Sequence, residues 1–136
     1  MGTQNVDILI IGAGPAGLYG AYYAGFRGMS VGLMDSLEEP GGQITAMYPE
    51  KAIFDVGGFS SIKGKDLIDN LLTQAKPSNP KFFLNQTATT LKQNLDASKL
   101  LYKLVLNETE KIYPVVIASM ESFEKMKQEC GTASAA

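Results

Sequence analysis

The residues whose types and spacing could do chemistry lie first in one short run, Gly12-Ala13-Gly14-Pro15-Ala16-Gly17, and then in a single acid, Asp35. None of the six is a nucleophile, an acid or a base, so their chemistry is binding. Three glycines in a G-x-G-x-x-G spacing suit the passage of a chain from a strand into a helix beside a diphosphate. Gly12 allows the tight exit, Gly14 lets the phosphates approach the backbone, and Gly17 lets the helix lie close to the strand. Pro15 suits a first helical position, where a missing N–H costs nothing, and Ala16 follows it with a free amide. The helix start then offers unpaired N–H groups and a partial positive charge to an anion. Asp35 falls about 20 residues further on, where a carboxylate accepts hydrogen bonds from the hydroxyls of an adenosine ribose. A carboxylate there repels a 2′-phosphate, so the pattern favours FAD or NAD over NADP. The competing reading of Asp35 is a plain cap on the end of a strand.

These residues need elements to hold them. Val6 to Ile11 is an apolar run that reads as a buried strand, and Ala16 to Ala24 reads as a helix, with Gly28 as its stop. Met29 to Met34 reads as a second strand ending at Asp35. Ser36 to Pro40 reads as a loop, followed by Gly41-Gly42-Gln43. Paired glycines free the backbone for a ligand, and Gln43 offers donors and acceptors, although an ordinary turn explains the same residues. Tyr48 precedes Pro49 and is biased to an extended shape; its ring suits either a flat ligand or the core. Ala52 to Ile62 reads as a loop, and the apolar positions 67, 68, 71, 72 and 75 read as one face of a helix that Pro77 stops. From Lys81 the pattern is β: Phe82 to Leu84, Thr87 to Leu91, Leu100 to Leu106 and Lys111 to Ala118, with Asn94 to Ser98 a turn and Asn107 to Glu110 a hairpin link. Pro114 assigns the start of the last stretch to an edge or opening position, and Val115 to Ala118 suits a buried parallel strand. Ser119 suits the cap of a short final helix ending at Gly131, and residues 132–136 read as a disordered tail. The fold class expected is α/β, a Rossmann-like FAD-binding domain in three layers: a parallel sheet with helices on one face and a small β-hairpin or β-meander on the other. That domain is expected over residues 1–131.

Bulk properties exclude other classes. The chain has 136 residues, enough for one domain with a core, and a net charge of −2. Arg27 is its one arginine and no basic stripe with interleaved aromatics occurs, so nucleic acid is not an expected partner. There is no histidine and one cysteine, Cys130, which leaves no metal site, no catalytic triad and no disulfide framework, and fits a reducing compartment. The N-terminal apolar run is too short for a membrane span and lacks the features of a signal peptide, so the expected location is the cytoplasm, with no membrane partner.

Beyond the glycine run, several stretches are specific enough to carry a family resemblance. They are Gly12 to Tyr19, Tyr23-Ala24-Gly25-Phe26-Arg27-Gly28, Gly41-Gly42-Gln43, Tyr48-Pro49-Glu50-Lys51, Asp55-Val56-Gly57-Gly58-Phe59, Leu67 to Leu71 and Gln74-Ala75. On these the chain resembles the ferredoxin/flavodoxin–NADP reductases of the thioredoxin-reductase-like type, over about residues 5–76. The resemblance implies FAD as cofactor, NADPH as co-substrate, ferredoxin or flavodoxin as electron partner, and a homodimer. It implies that Asp35, where relatives more often carry glutamate, holds the ribose, that Gln43 and Tyr48 contact the flavin cofactor, that backbone near Ala88 meets the adenine, and that Phe123 touches FAD. Gly12, Gly14, Pro15, Ala16, Gly17 and Gly42 complete the expected cofactor-binding set, and no residue is expected to be catalytic. Three departures stand out. The family's glycine-containing turn after the last strand is replaced by Ala118-Ser119-Met120-Glu121-Ser122-Phe123, no second G-x-G-x-x-G follows, and the family's closing G-D segment is absent. The expectation is the first lobe of a flavin reductase, cut where a nicotinamide domain would begin. The alternatives are a thioredoxin-reductase-like flavoprotein, whose C-x-x-C is not present here, and a truncated, non-catalytic module that binds adenine dinucleotides.

Overall fold

The computed structural model describes residues 6–94, 101–106, 109–113 and 115–118. The chain enters through β1 (Ile8–Ile11), turns into α1 (Pro15–Phe26) and returns through β2 (Val31–Met34). A short helix, α2 (Gln43–Met47), precedes two two-residue strands, β3 (Ala52–Ile53) and β4 (Ile62–Lys63). Helix α3 (Gly64–Ala75) follows, then a 3-10 turn (Lys76–Ser78) and β5 (Lys81–Phe83). The rest is strand: β6 (Ala88–Asn94), β7 (Leu101–Leu106), β8 (Thr109–Tyr113) and β9 (Val115–Ala118).

Four strands make one parallel sheet in the order β5-β2-β1-β9. Every residue of β1 and β2 is buried, which is why both read as unbroken apolar runs rather than alternating ones. One face of the sheet, through Ile8, Ile10, Val31 and Leu33, joins Leu18, Ala21, Ala24 and Ile68 of the helices in a single core. The other face presents Leu9, Ile11, Met34 and Phe83, all buried. Burying a side chain as large as Leu9, Leu18 or Leu33 is worth about 1.5–3 kcal/mol each. Gly32 sits on that second face because a Cβ there would lie 2.8 Å from the Phe83 ring and 3.0 Å from Leu9. The remaining long strands form an antiparallel β6-β7-β8 meander, and β7 lies against β9. The α/β class and the parallel sheet with its helices are therefore as the sequence led us to expect.

Differences lie at the margins. Gly41 and Gly42 form a turn, and Gln43 opens α2, a helix the sequence reading did not place; the 52–62 loop is pinched at its ends by the β3–β4 ladder. Thr109 and Glu110, assigned from sequence to a hairpin link, are instead paired with Leu106 and Val105 of β7. Asn94 belongs to β6, not to the turn after it. The expected final helix, Phe123 and the 132–136 tail lie outside the described residues. Strand β9 runs parallel to β1 in strict register, Ile8 to Val115 through Ile11 to Ala118.

Candidate dinucleotide-binding site

The site is built at the carboxyl end of β1 and β2, where open α/β sheets receive their ligands. Gly12 leaves β1 with φ 107°, a backbone shape that side chains rarely adopt, and its amide donates to the Met34 carbonyl at 2.7 Å. Helix α1 starts with Pro15 as its first residue, Gly14 as its cap, and no side chain bonded to the cap. The carbonyl of Gly14 accepts the Leu18 amide at 2.9 Å, so the turn is already wound into the helix. The glycines differ in what surrounds them. A Cβ on Gly17 would collide with the Gly12 carbonyl, whereas a Cβ on Gly14 would meet nothing within 4 Å. Gly17 is thus a packing residue, and Gly14 faces open space.

Asp35 closes the corner. Its amide donates to the Phe83 carbonyl at 3.1 Å, fixing the end of β2 against β5. Its carboxylate turns inward: Oδ2 accepts the Ala13 amide at 2.7 Å, and Oδ1 accepts the Leu37 amide at 3.0 Å. Asp35 is therefore tied to the glycine turn itself. Each carboxylate oxygen has a further lone pair, so the group can still accept a sugar hydroxyl on each.

Sequence reasoning did not anticipate how closely the Gly41-Gly42 pair joins this corner. The Gly41 amide donates to the Ala13 carbonyl at 2.7 Å. A Cβ on Gly42 would come within 3.2 Å of the Gly14 Cα. The signal was present as two adjacent glycines, which here take φ 118° and 62° in succession. Gln43, exposed, then opens α2, whose five residues carry the chain about 7.5 Å to Tyr48. Tyr48 is 47% exposed, so its ring is not in the core. It lines an open groove of about 360 Å³ with Ile44, Lys51 and Phe54, and the Lys51 ammonium lies 5.3 Å from the ring centre. The chain just ahead of Ala88 is tied to the same corner, since the Gln86 amide donates to the Asp35 carbonyl at 3.0 Å and the Asn85 amide to the Leu37 carbonyl at 3.0 Å. The structure thus gathers Gly12, Gly14, Pro15, Ala16, Gly17, Asp35 and Gly42 at one corner, with Gln43 and Tyr48 running off along α2.

Two groups have clearly displaced pKa values, Asp7 and Lys63. Hydrogen bonds from the Ser30 hydroxyl and amide hold the Asp7 carboxyl below its usual range, and the Glu50 carboxylate bonded to Lys63 holds that ammonium above its own. Among the described residues no group of three His, Cys, Asp or Glu side chains is placed to hold a metal ion, and no helix is long and apolar enough to cross a membrane.

Sheet order, glycine turn and acid together define a Rossmann-like domain, and residues 10–68 match the family model described as an NAD(P)-binding Rossmann-like domain. Within that class, the resemblance to the ferredoxin–NADP reductases with a thioredoxin-reductase-like fold holds. The chain is 64% identical over 90 residues to a ferredoxin–NADP reductase of Frankia alni, covering 66% of this chain and 28% of that protein. It is 50% identical over 126 residues to that of Frankia casuarinae, covering 93% of this chain and 39% of that protein. The second alignment reaches well past the 5–76 stretch on which the motifs lie. The chain spans about a third of the length of these curated relatives. In structure it is similar to thioredoxin reductase from Streptococcus pyogenes, with a TM-score of 0.70 at 24% identity over 86% of this chain and 35% of that one, a likeness of fold alone.

Proposed function

We propose that this chain is the FAD-binding part of a flavoprotein oxidoreductase of the ferredoxin–NADP reductase kind. The observation that carries the reading is the corner itself: open space over Gly14, an uncapped α1 start, and the Asp35 carboxylate turned into the turn. Those features fit a dinucleotide. Amides of Ala16 and Gly17 at the positive end of α1 would take its diphosphate. The spare lone pairs of Asp35 would take the adenosine ribose, with backbone near Ala88 on the adenine side. Gly42, Gln43 and Tyr48 lead along α2 toward the flavin end. Phe123, expected to touch FAD, is outside the described residues.

The bound flavin would supply the electron chemistry, accepting hydride from NADPH and releasing single electrons to ferredoxin or flavodoxin; the protein supplies position and surroundings. Within this chain the residues do no proton transfer. The glycines would hold the backbone near the diphosphate, Asp35 would orient the sugar, and Tyr48 would offer its ring to the flavin end. The carboxylate at Asp35 favours FAD over a 2′-phosphorylated dinucleotide in this pocket. NADPH, ferredoxin and a second domain belong to the longer proteins it is similar to, and their use here is part of the proposal, as is a cytoplasmic location.

The visible spectrum of the purified chain, before and after incubation with FAD, tests the reading. Bound oxidised flavin gives bands near about 375 and 450 nm. A folded, colourless chain that FAD does not alter would overturn it. A yellow chain that leaves NADPH unoxidised would support the FAD reading while assigning turnover to residues beyond this segment. The thioredoxin-reductase alternative has only a shared fold in its favour, whereas the Tyr48-Pro49-Glu50-Lys51 and Asp55-to-Phe59 stretches favour the ferredoxin reductases.

A further inference from the structure

The turn that follows α2 holds more than Tyr48. The Lys51 amide donates to the Tyr48 carbonyl at 3.1 Å, the Gly64 amide to the Lys51 carbonyl at 3.0 Å, and the Lys65 amide to the Pro49 carbonyl at 2.8 Å. These backbone bonds fix residues 48–51 against the start of α3. The approach is close: a Cβ on Gly64 would lie 2.7 Å from the Tyr48 carbonyl oxygen. From this bracket Lys51 reaches back to Tyr48, and its ammonium lies 5.3 Å from the ring centre, within the range of a cation–π contact. The neighbouring acid does not claim it, because Glu50 pairs with Lys63 at 3.0 Å. Among the described residues Lys51 makes no ion pair. The groove it lines is walled by Ile44, Ile53 and Phe54, and Asp55 is the only other charged residue there.

We propose that Lys51 sets the redox potential of the flavin, as a positive charge held at the Tyr48 end of the site. The proposal rests on the FAD reading above. Adding a hydride to oxidised flavin brings two electrons and one proton, so the ring gains one negative charge, while the donor NADPH leaves as NADP+. A cation close by favours the charged, reduced form over the neutral, oxidised one, and apolar walls screen that attraction less than water does. Lys51 therefore strengthens the hold on reduced FAD more than on oxidised FAD, and the potential rises by that difference. The contact with Tyr48 keeps the ammonium at the groove, where a flexible lysine stem would otherwise turn to solvent.

Two measurements on the 136-residue chain with FAD test it. One is the midpoint potential of the bound flavin, from a dithionite titration against a reference dye. The other is the affinity for oxidised FAD, from a fluorescence titration. Lys51→Met should cut the preference for reduced over oxidised FAD by about tenfold, which lowers the two-electron potential by about 30 mV. Its affinity for oxidised FAD should stay within about twofold of the parent's. Lys51→Arg should keep the parent potential. Lys65→Met removes the same charge from the separate groove beside Pro40 and Ile68, and should leave the potential unchanged. An FAD-bound chain whose potential Lys51→Met does not move would overturn the proposal and leave the FAD reading standing. Equal shifts from Lys51→Met and Lys65→Met would do the same, since net charge alone would then account for them. A parent chain that binds no FAD would overturn both.

Discussion

At the scale of single residues, two carboxylates set the geometry. Asp35 bonds two amides, Ala13 on one oxygen and Leu37 on the other. Asp35→Ala removes both acceptors at once. Stranding the part-buried Ala13 amide costs about 1–3 kcal/mol, whereas the exposed Leu37 amide can turn to water, so the urea midpoint should fall and exchange of the Ala13 amide should accelerate, with or without FAD. Asp35→Asn keeps one acceptor oxygen and should lose less stability, yet it lacks the charge that disfavours a 2′-phosphate, so its preference for FAD over NADP in competition binding should narrow. The second carboxylate, Asp7, accepts the Ser30 hydroxyl at 2.7 Å and amide at 2.8 Å, clamping the chain ahead of β1 to the start of β2. These bonds depress its pKa in the folded chain. A depressed carboxylate contributes stability that is present above its unfolded pKa and lost as pH falls through its folded value. The clamp should therefore hold at neutral pH and give way only below the usual carboxylate range. Urea midpoints taken from pH 7 down to pH 2 should fall less steeply for Asp7→Asn than for the parent chain. The sequence made the acid at 35 legible through its distance from the glycines. The hydrogen bond from the Ala13 amide to Asp35 was not legible, because spacing says where a carboxylate falls and not which amides donate to it.

At the scale of elements, the glycine turn separates two requirements that the motif runs together. Gly17→Ala puts a methyl against the Gly12 carbonyl and must push α1 off β1, a change worth about 1–3 kcal/mol when a packed interior is overfilled. Gly14→Ala meets open space and should change the melting temperature little. Its methyl instead occupies the volume over the turn, so FAD affinity should drop by tenfold or more in a fluorescence titration. If Gly14→Ala bound FAD as well as the parent, the diphosphate would not lie on that turn. The elements that carry the turn were plain in the sequence, because β1 and β2 are buried on both faces and read as apolar runs flanking an uncharged helix. Helix α2 was not. It has five residues, no capping side chain, and a Gly42 cap with φ 62°, so neither periodicity nor cap chemistry marks it. The β3–β4 ladder escaped for a similar reason: two-residue strands are too short to show alternation, and Gly57-Gly58 and Ser60-Ser61 between them carry every sign of a loop.

At the scale of the whole molecule, the class of the fold was legible because a βαβ unit can be read locally, whereas the sheet order had to be seen. Ile8 pairs with Val31 across a short connection and with Val115 across most of the chain, and only the first of these partners leaves a nearby trace in the sequence. The position of β9 has a cost during synthesis. Until Ala118 leaves the ribosome, β1 has a row of unpaired backbone groups along one side while its apolar residues are already present, and such a bare edge recruits other strands. The closing contact is also among the most distant in sequence, which slows folding. A chain terminated after Tyr113 should retain the residues of the dinucleotide corner and still accumulate as aggregate when expressed, and co-expression with a chaperone that shields nascent strands should benefit it more than the 136-residue form.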